Sequence, residues 1–212
     1  MTPFTELEGV MAVMPVANIN TDAIIPSPWL RFANADLGKG LFGSQRYTED
    51  GRERPDFILN QPPFRSAKIL LADENFGCGS SREAAVWALE QFGIRCVLAP
   101  SFGDIFYENA FRNGVLAGRI DAATFERLRE AVRRHPDRPV VRVDLAARSV
   151  TAPDRTSYVL HVPAARAEAL LRGEDEIAAT LALEAEIAAY YAAVQVARPW
   201  LYPAAASRGD TV

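Results

Sequence analysis

Residues 75–83 read NFGCGSSRE, which places two glycines, a cysteine, two serines and an arginine side by side ahead of an apolar-periodic run. Each of these types has a chemical use. Gly77 and Gly79 let the backbone approach a ligand closely, because no Cβ stands in the way. Backbone amides left free at the start of a helix attract anions. The guanidinium of Arg82 beside them can grip a carboxylate through two hydrogen bonds. Together they suit a small organic acid. Two of the residues also have a plainer role: Ser80 and Glu83 match the capping box S-x-x-E, in which the serine takes an amide of the first turn and the glutamate reaches back. The capping box leaves Gly77, Gly79, Ser81 and Arg82 unaccounted for. Cys78 is open between a reactive thiol at a helix start and a small residue packed under the loop.

Spacing removes several other chemistries. The dinucleotide fingerprint G-x-G-x-x-G needs a third glycine where this chain has Arg82. Neither the phosphate loop G-x-x-x-x-G-K-[ST] nor the nucleophile elbow G-x-S-x-G occurs. His135 and His161 stand late in the chain, in contexts that fit a Ser/His/Asp arrangement poorly, and read as surface or strand residues. With two cysteines, Cys78 and Cys96, the chain cannot build a disulfide framework or ligate a metal cluster unaided.

The elements that must position this loop follow from periodicity. GVMAVMPV (9–16) reads as a strand, AKILLAD (67–73) as a buried strand, and SREAAVWALEQFG (80–93) as a helix closed by Gly93. IRCVLAP and VLAGRI are further strands, separated by the helix SFGDIFYENAFRNG. A third helix, DAATFERLREAVRRHP, is acidic at its start and basic at its end. Strand–helix–strand–helix–strand from Ala67 to Ile120 implies an α/β fold with a parallel core. Three short strands follow, then two helices over 163–195 that are expected to cover the core. Residues 27–66 form a long irregular segment with a double proline, expected to be functional rather than idle. One domain over 1–198 is expected, with a frayed tail at 199–212. The chain has 212 residues, a formal net charge of −4 and 24% charged residues, so no basic surface calls for nucleic acid. No apolar run approaches the roughly 20 residues of a membrane span. The N-terminus lacks the basic region of a signal peptide, and a cytoplasmic setting is expected.

NFGCGSSRE resembles a motif of the small-subunit family of 3-isopropylmalate dehydratase, a swivel-domain relative of aconitase. Other segments are similar to that family in order: NINTDAIIP, LGKGLF, RPDFILNQPPF, APSFGDIFYENAFRNGVL and GEDEIAATLALEAEIAAYY. The resemblance covers about Gly9 to Tyr191. It implies a swivelling β/β/α domain with C-terminal helices, and a reaction that interconverts 2-isopropylmalate and 3-isopropylmalate by dehydration and rehydration in leucine biosynthesis. It also implies a separate large subunit carrying a [4Fe-4S] cluster, with no cofactor or metal on this chain. Carried over, Ser80 is the base that removes a proton from carbon, acting as an alkoxide, and Ser81 and Arg82 hold a substrate carboxylate. Arg31, in the loop after NINTDAIIP, is the expected second arginine at the substrate. Four positions depart from the family pattern: Ala84 where histidine is usual, Asn20 where aspartate is usual, Ser27 where lysine is common, and Gln45 where tryptophan is frequent. Two other readings stay open on these departures. One is a paralogous small subunit for a methyl- or dimethylmalate type of 2-hydroxy diacid. The other is a non-catalytic regulatory partner that kept the fold.

Overall fold

A computed structural model describes residues 1–31 and 36–202. Seven strands form one mixed sheet in the order β4-β3-β2-β1-β5-β6-β7. The seam is β1 (Glu6–Met14). Its first half, Glu6 to Val10, pairs antiparallel with β5 (Val140–Asp144), and its second half, Met11 to Met14, pairs parallel with β2 (Ile69–Ala72). β3 (Cys96–Ala99) and β4 (Leu116–Arg119) continue the parallel part, whereas β6 (Ser149–Thr151) and β7 (Ser157–Val159) extend the antiparallel wing. All four residues of β2 and of β3 are buried, as expected for strands covered on both faces. The predicted parallel α/β core is therefore present. The first strand begins three residues earlier than its apolar run, because Glu6 to Glu8 are held by β5 rather than by a core face.

Three single turns precede the core: α1 (Thr21–Ile24), α2 (Leu37–Gly40) and α3 (Gly43–Arg46). The crossover helices are α4 (Ala84–Phe92) between β2 and β3, and α5 (Asp104–Arg112) between β3 and β4. α4 buries Ala85, Val86, Ala88 and Leu89 and ends on Gly93 at φ 109°. α6 (Ala122–Arg134) is capped by Asp121, whose carboxylate accepts from the Thr124 amide at 2.6 Å. α7 (Ala164–Arg172) buries Ala167 and Leu170 and stops at Gly173 in the left-handed conformation.

The irregular segment 27–66 is, over its described residues, a succession of short helical turns gathered on a buried arginine. The Arg46 side chain donates to Asn60 Oδ1 (3.1 Å) and to the carbonyls of Gly38 (3.2 Å) and Leu41 (3.3 Å). Its guanidinium also lies 5.2 Å from the Tyr47 ring and 5.0 Å from the Phe92 ring. Burial pushes its pKa down from the ordinary arginine value.

The chain divides into two compact units, Met1–Glu174 and Asp175–Val212, where the sequence suggested one domain through residue 198. The break falls just after Gly173, whose positive φ ends α7. In the second unit, the single helix expected over 174–195 is two: α8 (Glu176–Leu181), capped by Asp175, and α9 (Glu184–Ala197). α9 buries none of its residues, contrary to the core-covering role expected of it. Apolar residues run all round it instead of forming one stripe, so no single face is marked for burial. Residues 203–212 of the expected frayed tail lie outside the described residues. No described helix is long and apolar enough to cross a membrane.

Candidate active site

The loop that follows β2 is laced between two other segments. The Asn75 amide donates to Ser101 Oγ (2.8 Å) and the Asn75 side chain to Asn18 Oδ1 (2.7 Å). Phe76 N donates to Ser101 O (3.1 Å), Gly77 N to Ile19 O (2.7 Å), Thr21 N to Cys78 O (3.0 Å), and Gly103 N to Phe76 O (2.9 Å). NINTDAIIP and APSFGD thus clamp the loop from both sides. Gly77 has φ 75°, and a Cβ there would fall 2.2 Å from Phe106 Cγ, so only glycine fits without displacing a core ring. A Cβ on Gly103 would meet the Gly77 carbonyl oxygen at 2.6 Å, which brings the start of α5 directly against the loop. Cys78 is half-buried, and its Sγ lies 3.5 Å from Asn18 O.

Beyond Cys78 the loop opens to solvent. Ser80 is anchored by its carbonyl, which accepts from Thr21 Oγ1 at 2.7 Å. The side chains of Ser80 and Ser81 are exposed. Among the described residues, the amides from Gly79 to Ala84 donate no hydrogen bond, giving five consecutive N–H groups ahead of α4 and a sixth at its first residue. Free amides at a helix start attract anions. Arg82 borders this row. Its guanidinium donates to Ile25 O (3.2 Å) and forms an ion pair with the Asp22 carboxylate.

The capping box is not formed. α4 begins at Ala84, four residues after the Ser80 carbonyl that Thr21 holds, and its start has no side-chain cap. Glu83 instead accepts from Asn113 Nδ2 (2.9 Å), whose Oδ1 takes the Trp87 indole N–H (2.9 Å). Three of the predicted residues, Ser80, Ser81 and Arg82, thus share one loop. Arg31 does not join them: it is exposed at the end of the turn Ser27–Leu30, with no hydrogen bond or ion pair to the loop among the described residues. Asp22 and Thr21, not singled out from sequence, prove to be the side chains that hold the site. Their signal was the NINTDAIIP segment as a whole. Asn20 caps α1 by accepting from the Ala23 amide at 2.8 Å, a role aspartate and asparagine fill equally well. Ala84 opens α4 half-buried, and Ser27 and Gln45 are exposed.

The geometry is matched by kinship. Residues 1–123 match the family model of the aconitase C-terminal domain. The chain is 48% identical over 202 residues to the 3-isopropylmalate dehydratase small subunit of Paramagnetospirillum magneticum, covering 95% of this chain and all of the relative. It belongs to the 3-isopropylmalate dehydratase small-subunit family. A second member, from Rhodopseudomonas palustris, is 47% identical over 201 residues, again along its whole length. The crystal structure of 3-isopropylmalate dehydratase (leuD) from Methanocaldococcus jannaschii superposes with a TM-score of 0.64 at 23% identity, over 87% of this chain and 99% of that one. That likeness shows the α/β fold. Among the described residues of this family member, no group of three or more His, Cys, Asp or Glu side chains is placed to hold a metal ion. Cys96 is buried in β3, where desolvation raises its thiol pKa far above the ordinary range.

Proposed function

We propose that this chain is the small subunit of a heteromeric hydro-lyase that interconverts 2-isopropylmalate and 3-isopropylmalate, with Ser80 as the carbon-acid base and Ser81 and Arg82 as carboxylate ligands. The observation that carries this reading is the open loop 79–84: six unengaged amides, two exposed hydroxyls and an oriented guanidinium, in a chain that aligns with family members over their full length. In the forward direction the Ser80 oxygen takes the proton from the carbon next to the one bearing hydroxyl. The hydroxyl departs with its electron pair, and the C–H electrons form the double bond. Rehydration reverses the sense: water adds its oxygen to the carbon that lost the proton, Ser80 delivers its proton to the carbon that lost the hydroxyl, and the proton shed by that water converts the departed hydroxide to water. An ordinary hydroxyl is a poor acid, so the alkoxide needs a positive field. The amide row and Arg82 supply part of it on this side. A [4Fe-4S] cluster on the large subunit would supply Lewis acidity for the departing hydroxyl. This chain, with Cys78 and Cys96 in different places and one of them in the core, does not fit such a cluster. Arg31 remains a candidate for the far end of the substrate, from the loop that leads into residues 32–35. A cytoplasmic location accords with the two free thiols.

The test is co-purification with the large subunit under anaerobic conditions and measurement of hydration of isopropylmaleate, citraconate and dimethylmaleate. Activity on isopropylmaleate that falls to background in Ser80→Ala, with the complex intact, supports the proposal. Preference for citraconate or dimethylmaleate moves the substrate to a methyl-substituted malate. A stable, cluster-loaded complex inactive on all three acids would leave only the regulatory-partner reading.

A further inference from the structure

Tyr107 lies on α5, is 5% exposed, and has a buried hydroxyl with no hydrogen-bond partner among the described residues. Buried polar atoms are ordinarily satisfied, so an orphaned phenol asks for an explanation. Tyr107 lines an open cavity of about 530 Å3 together with Arg119, Arg148 and His161. These three come from different parts of the chain and are stitched by backbone hydrogen bonds: Arg119 N to His161 O (3.1 Å), His161 N to Arg119 O (2.8 Å) and Leu160 N to Arg148 O (2.9 Å). The Arg119 guanidinium lies 4.4 Å from the Tyr107 ring centre.

The charge of this cavity is one-sided. Its lining contains two guanidinium groups, an imidazole and a phenol, but no carboxylate. Neither Arg119 nor Arg148 forms an ion pair among the described residues, in contrast to neighbouring Arg166, which is paired with Glu108. Asp121, the carboxylate that feels His161, already accepts from the Thr124 amide. In a chain whose formal net charge is −4, a cavity with uncompensated cations and an unused phenol donor has the chemistry of an anion receptor.

We propose that the cavity lined by Tyr107, Arg119, Arg148 and His161 binds a small oxyanion, bearing carboxylate or phosphate, held by the two guanidinium groups with the Tyr107 hydroxyl as a further donor. It uses no residue of the serine loop, so it stands or falls independently of the hydro-lyase assignment.

The isotope-labelled full chain is titrated with inorganic phosphate and, separately, with succinate, at constant ionic strength. Amide shifts are followed by NMR, with sodium chloride as the control for screening. The expected result is saturable shifts centred on Arg119, Arg148 and His161 with at least one of the two probes, and the probe that saturates identifies the source of the oxyanion. Arg119→Gln combined with Arg148→Gln weakens that binding about tenfold or more, and Tyr107→Phe, which removes one oxygen and keeps the ring, weakens it severalfold. Arg82→Gln leaves it unchanged. Non-saturating shifts shared with chloride overturn the site. So does native affinity retained in both the double-arginine and the Tyr107→Phe chains, or binding lost in Arg82→Gln.

Discussion

Arg82 has both of its partners within NINTDAIIP: the Ile25 carbonyl and the Asp22 carboxylate. The Asp22 side chain is 53% exposed and that of Arg82 20%, so solvent screens the pair and its contribution to stability is small, below about 1 kcal/mol. Its effect is orientation. A free arginine side chain carries about 2 kcal/mol of rotamer entropy, and Asp22 removes much of that before a carboxylate is gripped. Asp22→Asn keeps the shape and removes the charge. In the assembled enzyme it should lower kcat/KM about tenfold, equivalent to ~1.4 kcal/mol of transition-state stabilisation, while the denaturation midpoint barely moves. Steady-state kinetics beside a urea titration checks this; kinetics equal to the native enzyme would remove Asp22 as a positioning residue.

The loop and the helix behind it form the next scale. Gly77 and Gly79 both have positive φ, yet only Gly77 is crowded: a Cβ on Gly79 meets nothing nearer than Asn20 Cβ at 3.4 Å, an ordinary contact. Gly79→Ala should therefore cost about 1 kcal/mol, the backbone strain alone. Gly77→Ala adds displacement of the Phe106 ring and should cost about 1–3 kcal/mol more. Equal costs in chemical denaturation would mean that the α5 contact is not rigid. α6 offers a pH test. The Thr124 amide, then the Thr124 hydroxyl, hold the Asp121 carboxyl below its ordinary carboxylate range. A depressed folded-state value means that this stabilisation is complete above the ordinary range and is lost as pH falls through the depressed one. The native chain should thus lose more stability than Asp121→Asn on acidification below that range, as read from thermal midpoints across an acid series. Parallel curves would show that the cap carries no linked proton.

Among the described residues, the buried apolar core runs from Phe4 to Leu170 and lies in the unit Met1–Glu174. A chain ending at Glu174 should therefore fold cooperatively, with a denaturation midpoint close to that of the full chain. Loss of the cooperative transition would show that residues 175–212 are needed for folding.

Much of this unit was legible along the chain. Strands Ile69–Ala72, Cys96–Ala99 and Leu116–Arg119 lie within apolar runs, and glycines at 93 and 173 mark helix ends, because both signals depend on a residue and its near neighbours. The ordered run of glycines, serines and Arg82 is likewise a single loop, because its members are neighbours along the chain. What needed the fold was every pairing between distant residues. Ser80 and Glu83 have the letters of a capping box, but Thr21 holds the Ser80 carbonyl, Asn113 takes the Glu83 carboxylate, and α4 starts at Ala84. Arg82 reaches a carbonyl 57 positions away, Arg46 is buried among carbonyls that no periodicity announces, and Tyr107 lines one cavity with Arg119, Arg148 and His161. Local sequence specifies local backbone geometry; which charge meets which partner is decided only when the sheet brings its edges and loops together.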